Sequence, residues 1–326
     1  MIVFLWQGYT LFAKEKPLQH HTEGHLSDIA EEVVKIPLEP AEGIHIKNAR
    51  NIQREGKSLF LISNNVLYRF HRNGKFICRI SDPQEIIVAG YLINPAQQQL
   101  IVMGNTNDIF YYSYDGQLID RKKLTSNLPD RRMLSMSVYK NKIWSVEEKQ
   151  IDSNKPNPTT EIKREVIVYD ILFNKIDEYK LTQADLGRKQ TLPISFRPQL
   201  SISADTDNLY AYEPPFQPEY LLKDSLHLKR LKKGQNIVAS EKEVLLFPLR
   251  FGKRMWISSY HHPAGSEQNY TFCYDTYNNE SWQVKSGFID NFYQTGSVAR
   301  LEALDLQGEY YYFLKPSTLY IVKLKG

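Results

Sequence analysis

The sequence predicts an all-β protein, a six-bladed β-propeller closed by pairing of its N-terminal and C-terminal strands. Three observations lead there. Hairpins recur along the chain, and the aromatic residue before each turn (Phe70, Tyr114, Tyr169, Tyr274) leaves gaps of 44, 55 and 105 residues, the last wide enough for one skipped copy. A period of about 40–50 residues is that of a four-stranded blade. The chain also ends on three strand patterns rather than four, and a fourth, Val33–Leu38, lies near its beginning.

Val66–Ile80, VLYRFHRNGKFICRI, is the clearest hairpin. Val66, Tyr68 and Phe70 alternate with Leu67, Arg69 and His71, and Phe76, Cys78 and Ile80 alternate with Ile77 and Arg79. Period-two patterning rich in aromatic and β-branched residues is the strand signal, and Asn73-Gly74 supplies the positive φ that a tight turn needs. Asp115-Gly116 does the same between Ile109–Tyr114 and Leu118–Lys123.

In chain order, residues 1–26 read as a leader and 27–326 as one propeller domain, with no linker dividing them. Residues 1–13 are apolar and precede Lys14, Glu15 and Lys16. The stretch is too short to span a membrane and resembles a secretory signal remnant whose basic start is missing, which implies a periplasmic or extracellular protein. Residues 17–26 are polar and contain His20, His21 and His25, as a disordered leader does.

Blade 1 is Ala49–Arg54, Ser58–Ser63 and the opening hairpin. Blade 2 runs from Ile86 through Gln99–Met103 and Ile109–Tyr114 to Leu118–Lys123. Blade 3 has Met133–Tyr139, Lys142–Glu147, Val166–Asp170 and Lys175–Lys180, with a polar insertion, Lys149–Lys163, expected as a surface loop. Blade 4 takes Gln199–Ser203, Asn208–Tyr212, Tyr220–Lys223 and Leu226–Leu231. Blade 5 takes Val244–Leu249, Arg254–Tyr260, Tyr270–Asp275 and Ser281–Lys285. Blade 6 takes Val298–Leu304, Glu309–Leu314 and Leu319–Lys325, completed by Val33–Leu38. Joining the two ends removes the open edges of the ring.

Composition agrees. With 326 residues, 42% of them hydrophobic, the chain can bury a large core, and its 15 Phe and 21 Tyr suit strands. A formal charge of +4 over this length does not imply a nucleic-acid partner. The densest basic run, Lys229–Lys233, reads as a lysine-guarded edge strand. Cys78 and Cys273 fall in different blades and read as small buried hydrophobes rather than a disulfide.

Three stretches carry a family resemblance: LSDIAEEVVKIPLEP (Leu26–Pro40), SLFLISNNVLYRFHRNGKFICRI (Ser58–Ile80) and CYDTYNNESWQVKSGFIDNFYQTG (Cys273–Gly296). The chain resembles a bacterial, NHL-like six-bladed propeller family, commonly exported. The resemblance implies a ligand- or partner-binding role and no settled catalytic residues. The family's Gly-Pro-Gly-rich turn after the first blade is here Ser81-Asp82-Pro83-Gln84-Glu85, which keeps the proline and an acid but no glycine.

No Gly-rich phosphate loop, zinc-type cysteine spacing, HExxH or GxSxG is present, and no cofactor or metal site is expected. Asp82, Glu85, Asp290 and Asn291 are scattered acids and amides of the kind that also build turns. A basic and aromatic set is more suggestive. In a propeller, first strands begin and second strands end on one face. That puts Arg132, Arg197, Tyr212, Tyr260 and His261 on one rim, with Arg131 and Arg188 near them. Arginine forks hold carboxylates and phosphates, and tyrosines stack on sugars or peptides. The leading expectation is therefore a non-enzymatic propeller outside the cytoplasm that binds an acidic glycan, a peptide or a protein partner through these residues. The alternative is a metal-assisted hydrolase or lyase with its site at the central channel.

Overall fold

The structure, a computed structural model, describes residues 19–21, 23–106, 108–124, 131–152, 160–182, 199–202, 209–212, 243–245, 255–261, 269–275, 277–278, 280–285, 287–296, 298–305 and 309–326. Short strands β1 (Gln19–His21) and β2 (Gly24–His25) lead through one helical turn, α1 (Leu26–Ile29), into β3 (Ala30–Pro37). Blade 1 is β4 (Arg50–Glu55), β5 (Ser58–Ser63), β6 (Val66–His71) and β7 (Phe76–Arg79). Blade 2 is β8 (Val88–Asn94), β9 (Gln99–Gly104), β10 (Asp108–Ser113) and β11 (Leu118–Lys123). Blade 3 is β12 (Arg131–Tyr139), β13 (Lys142–Asp152), β14 (Thr160–Tyr169) and β15 (Lys175–Thr182). Blade 4 is represented by β16 (Gln199–Ile202) and β17 (Leu209–Tyr212). After β18 (Glu243–Leu245), blade 5 holds β19 (Met255–His261), β20 (Asn269–Asp275) and β21 (Glu280–Lys285). β22 (Phe288–Ile289) and β23 (Val298–Ala299) form a small sheet with β2. Blade 6 is β24 (Glu302–Ala303), β25 (Tyr310–Lys315), β26 (Thr318–Leu324) and, from the other end of the chain, β3.

The protein is thus a six-bladed β-propeller, and the expected closure is present. β3 pairs antiparallel with β26, from Thr318 opposite Pro37 to Leu324 opposite Ala30. The second strand of blade 1 is covered on both faces by neighbouring blades, which is why Ser58–Ser63 is buried throughout. Leu59 and Leu61 face the cluster shared with blade 6, while Phe60 and Ile62 face the cluster shared with blade 2. The hydrophobic core is this series of layers between blades.

Two kinds of β-bulge repeat. In the first strands of blades 1, 2 and 3, an extra residue enters near the start, at Asn51-Ile52, Ala89 and Leu134. In the outer strands of the same blades the extra residue is always isoleucine: Ile77, Ile119 and Ile176.

Four expectations are revised. Val244 and Leu245, the start of the predicted Val244–Leu249, belong to Glu243–Leu245, which lies parallel to the outer strand of blade 3, Lys180 opposite Glu243; residues 246–249 lie outside the described residues. A three-residue contact needs no long periodic pattern, so its partner cannot be read locally. Lys149–Lys163 is not wholly a loop, because Lys149–Asp152 and Thr160–Lys163 extend the β13–β14 ladder. The polar stretch before Leu26 is not free of the ring: β1 lies parallel to β21, and β2 parallel to β22. A Cβ at Gly24 would come 2.5 Å from Val284 Cγ1, so that crossing depends on a missing side chain. The predicted first strand of blade 6 is divided at Arg300-Leu301 into β23 and β24. Tyr220–Lys223, Leu226–Leu231 and Lys229–Lys233 lie outside the described residues.

Candidate functional site

The best-defined part of the inner ring is where blades 6, 1 and 2 meet. The bulge in β4 leaves the Asn51–Ile52 peptide outside the strand ladder. Asn51 takes φ of 50°, a left-handed conformation that asparagine tolerates. Both polar groups of that one peptide are taken up by tyrosines from opposite sides. Tyr91 of blade 2 donates to the Asn51 carbonyl at 2.6 Å, sharing its hydrogen with the Phe60 carbonyl at 2.8 Å. Tyr312 of blade 6 accepts the Ile52 N–H at 3.3 Å and donates to Glu302. Burial, then the neighbouring Tyr312, raises the Tyr91 hydroxyl well above its ordinary value. Burial, then the Glu302 carboxylate, does the same for Tyr312. Both therefore remain protonated donors at physiological pH.

Arg50, one residue before the bulge, bonds the bulge of the next blade. Its Nη1 donates to Ala89 O and its Nη2 to Val88 O, each at 3.0 Å. Arg54 lies 4.5 Å over the Tyr310 ring, binding blade 1 back to blade 6. This wall holds its blades together and orients Glu302 and Asn51. Among the described residues no three His, Cys, Asp or Glu side chains group so as to hold a metal ion.

Two of the scattered acids close turns. Asp290 is 1% exposed. One of its oxygens accepts the Phe292 and Tyr293 N–H groups at 3.2 Å, and the other accepts from Thr295 at 2.6 Å and lies 3.4 Å from Lys315 Nζ. Burial alone would raise this carboxyl, but Thr295, the Tyr293 N–H and Lys315 outweigh it and hold it below the ordinary value. Asp82 accepts the Gln84 N–H at 2.9 Å, while its own carbonyl accepts from Glu85 and Ile86. The glycine-free turn after blade 1 is therefore closed by an aspartate rather than by positive-φ residues.

Of the sequence-predicted rim, the described residues fall on strand ends. Arg132 is the second residue of β12, across the ladder from Glu148, and Arg131 stands across from Lys149. Tyr212 is the last residue of β17, opposite Gln199. Tyr260 and His261 end β19, opposite Tyr270 and Asn269. Arg188 and Arg197 lie outside the described residues. Beside Arg132 the β13–β14 ribbon continues past the start of β12 for three further pairs, Gln150 with Ile162, Ile151 with Glu161 and Asp152 with Thr160. Three residues of strand amount to about 10 Å. Sequence reasoning missed Arg50, although it too begins a first strand. It also missed Tyr91 and Tyr312, whose roles depend on a bulge that leaves no pattern in sequence.

The sequence pattern of a family described as 6-bladed beta-propeller (DUF5128) matches residues 16–233. No curated protein is similar in sequence. Among solved structures, a Bacteroides fragilis protein inferred to be exported is similar with a TM-score of 0.53 at 12% identity, over 94% of this chain and 100% of its own. The Neurospora crassa Pan2 WD40 domain is more distant, with a TM-score of 0.36 at 11% identity over 85% of this chain and 75% of its own. A Bacteroides caccae protein of unknown function has a TM-score of 0.33 at 8% identity over 76% and 78%.

Proposed function

The chain belongs to this six-bladed β-propeller family, and from that premise we propose a non-enzymatic binding or scaffold protein working outside the cytoplasm. Its ligand is an acidic glycan or a carboxylate-bearing peptide, held on the face where first strands begin by Arg132 and Arg197, with Tyr212, Tyr260 and His261 as stacking and hydrogen-bonding partners. The observation that carries this reading is the blade 3 ribbon. It stands beyond the start of β12 beside Arg132 and walls one side of that face. At the joint of blades 1 and 2 the Arg50 fork is committed to two carbonyls, which leaves it unavailable to an anion. Export is supported by the apolar residues 1–13 followed by Lys14–Lys16, and by the exported assignment inferred for the Bacteroides fragilis protein.

Binding of an acidic glycan panel to wild type, Arg132→Ala and Arg197→Ala tests the site. Loss of one charged hydrogen-bonded contact weakens a bound anion by about 2–5 kcal/mol. No binding across the panel, or binding indifferent to both substitutions, overturns the reading. Fractionation of cells expressing the gene with its upstream region tests export, and recovery only in the cytoplasm refutes it.

A further inference from the structure

The outer strands of blades 2 and 3 share a sequence that goes beyond the hairpin pattern. Ile119-Asp120-Arg121-Lys122-Lys123-Leu124-Thr125 aligns with Ile176-Asp177-Glu178-Tyr179-Lys180-Leu181-Thr182, a common I-D-x-x-K-L-T. The alignment is structural at its start, since Ile119 and Ile176 are the bulged residues of β11 and β15. In blade 3 the K-L-T end is occupied: Lys180, Leu181 and Thr182 pair in parallel with Glu243, Val244 and Leu245. Blade 5 takes a similar addition, with β1 lying parallel to β21 at Trp282–Val284. In blade 2 no strand lies beyond β11 among the described residues. Leu118 and Ile119 are 44% and 56% exposed, and Lys123 is exposed as well.

We propose that the end of the blade 2 outer strand, centred on Lys123-Leu124, accepts in parallel an extended segment of a partner protein bearing an acid followed by two aliphatic residues. The chemistry of the occupant is taken from blade 3, where Glu243 stands opposite Lys180 in register and Val244 and Leu245 follow. Lysine on an open edge guards against unwanted pairing. Yet the same lysine in blade 3 sits within a paired stretch, so it does not bar a strand whose first residue is acidic. Main-chain hydrogen bonds supply affinity in such additions and side chains supply the choice of partner. This surface is the outer edge of blade 2 and includes none of the rim residues, so the proposal stands or falls independently of them.

The probe is a fluorescein-labelled peptide of the sequence Glu-Lys-Glu-Val-Leu-Leu, titrated with the full chain and read by anisotropy. Saturable binding is expected, weakened about tenfold or more by Lys123→Glu and left unchanged by Lys180→Glu. Methylating alternate backbone nitrogens of the peptide abolishes it. Circular dichroism confirms that both variants, each changed at a strand-edge lysine, keep the fold. Three results overturn the proposal: no binding at millimolar protein, binding insensitive to Lys123→Glu or to N-methylation, or sensitivity to Lys180→Glu alone, which marks exchange into blade 3. Concentration-dependent dimerisation lost on Lys123→Glu also overturns it, in favour of a second copy of this chain.

Discussion

The joint between blades 6 and 1 and the joint between blades 1 and 2 follow one plan in different materials. In both, the glycine of a third-to-fourth-strand turn meets the end of the preceding outer strand. A Cβ on Gly74 would stand 1.8 Å from Pro37 O, and one on Gly116 would stand 2.7 Å from Arg79 O. At the first joint the chain leaving β3 keeps pairing: Glu39 N–H donates to Gly74 O at 2.9 Å and Glu39 O accepts Phe76 N–H at 3.1 Å. At the second joint a side chain makes the tie, with Arg69 Nη1 donating to Tyr114 O at 3.2 Å and to Asp115 at 2.7 Å. The next joint goes further in this direction. Its turn carries Phe173 at φ 59° in place of a glycine, and Lys122 of β11 reaches across to Leu172 O and Asn174. The lesson is graded. Where the ring closes, backbone meets backbone and space is tightest; moving away from the closure, longer side chains bridge wider gaps.

The largest expected effect is at the tightest joint. Gly74→Ala combines a left-handed φ with a collision against backbone, and should lower unfolding free energy by about 3 kcal/mol or more. Urea denaturation measures this, and a loss no greater than that of Gly116→Ala would erase the distinction between the joints. Tyr312→Phe removes the acceptor of Ile52 N–H and the donor to Glu302, and about 2 kcal/mol should be lost. A thermal shift matching that of an exposed Tyr277→Phe control would show the bulge peptide does not need its grip. For Gly116→Ala the strain of φ +84° contributes about 1–2 kcal/mol, and the approach to Arg79 O at 2.7 Å adds less than the 1.8 Å collision at Gly74. Asp115 is 86% exposed in its pair with Arg69, so Asp115→Asn should cost no more than about 1 kcal/mol. That small cost should vanish in 1 M salt. A salt-independent loss would place the tie elsewhere.

Acid offers a further test at blade 6. The Asp290 carboxyl is held below its ordinary value in the folded protein, so its contribution is present above the unfolded carboxylate range and fades as pH falls through the folded value. Asp290→Asn should lower stability at neutral pH and flatten the acid limb of a stability–pH curve. An unchanged acid limb would show that the loop it closes is not coupled to unfolding.

Much of the architecture was legible because it is local. Asn73-Gly74 and Asp115-Gly116 announce their hairpins, and the missing fourth strand of blade 6 announces the closure that Ala30–Pro37 supplies. What was not legible depends on distance. Positive φ explains a turn glycine, but nothing near Gly74 in sequence says that Pro37 will press against it. Parallel additions such as Glu243–Leu245 on Lys180–Thr182 offer too few residues to show a period. The inner-ring grip on Asn51–Ile52 joins residues from three blades. Arg132, Tyr212, Tyr260 and His261 could be placed on strand ends, because ends follow from alternation; which side chains meet across the face follows from blade twist, which no pattern encodes.

The closure has a consequence for how the protein is made. β3 is synthesised ahead of blades 1 to 5, and its partner, β26, only after them. While blades 1 to 5 are being made, β3 waits with an unpaired edge. Blades can collapse hairpin by hairpin as they emerge, since those contacts are short-range, but the ring fastens only once β26 has been made. A chain stopped before β26 would therefore keep most of its blades and still present two sticky edges. The seven residues of β26 decide whether the ring closes.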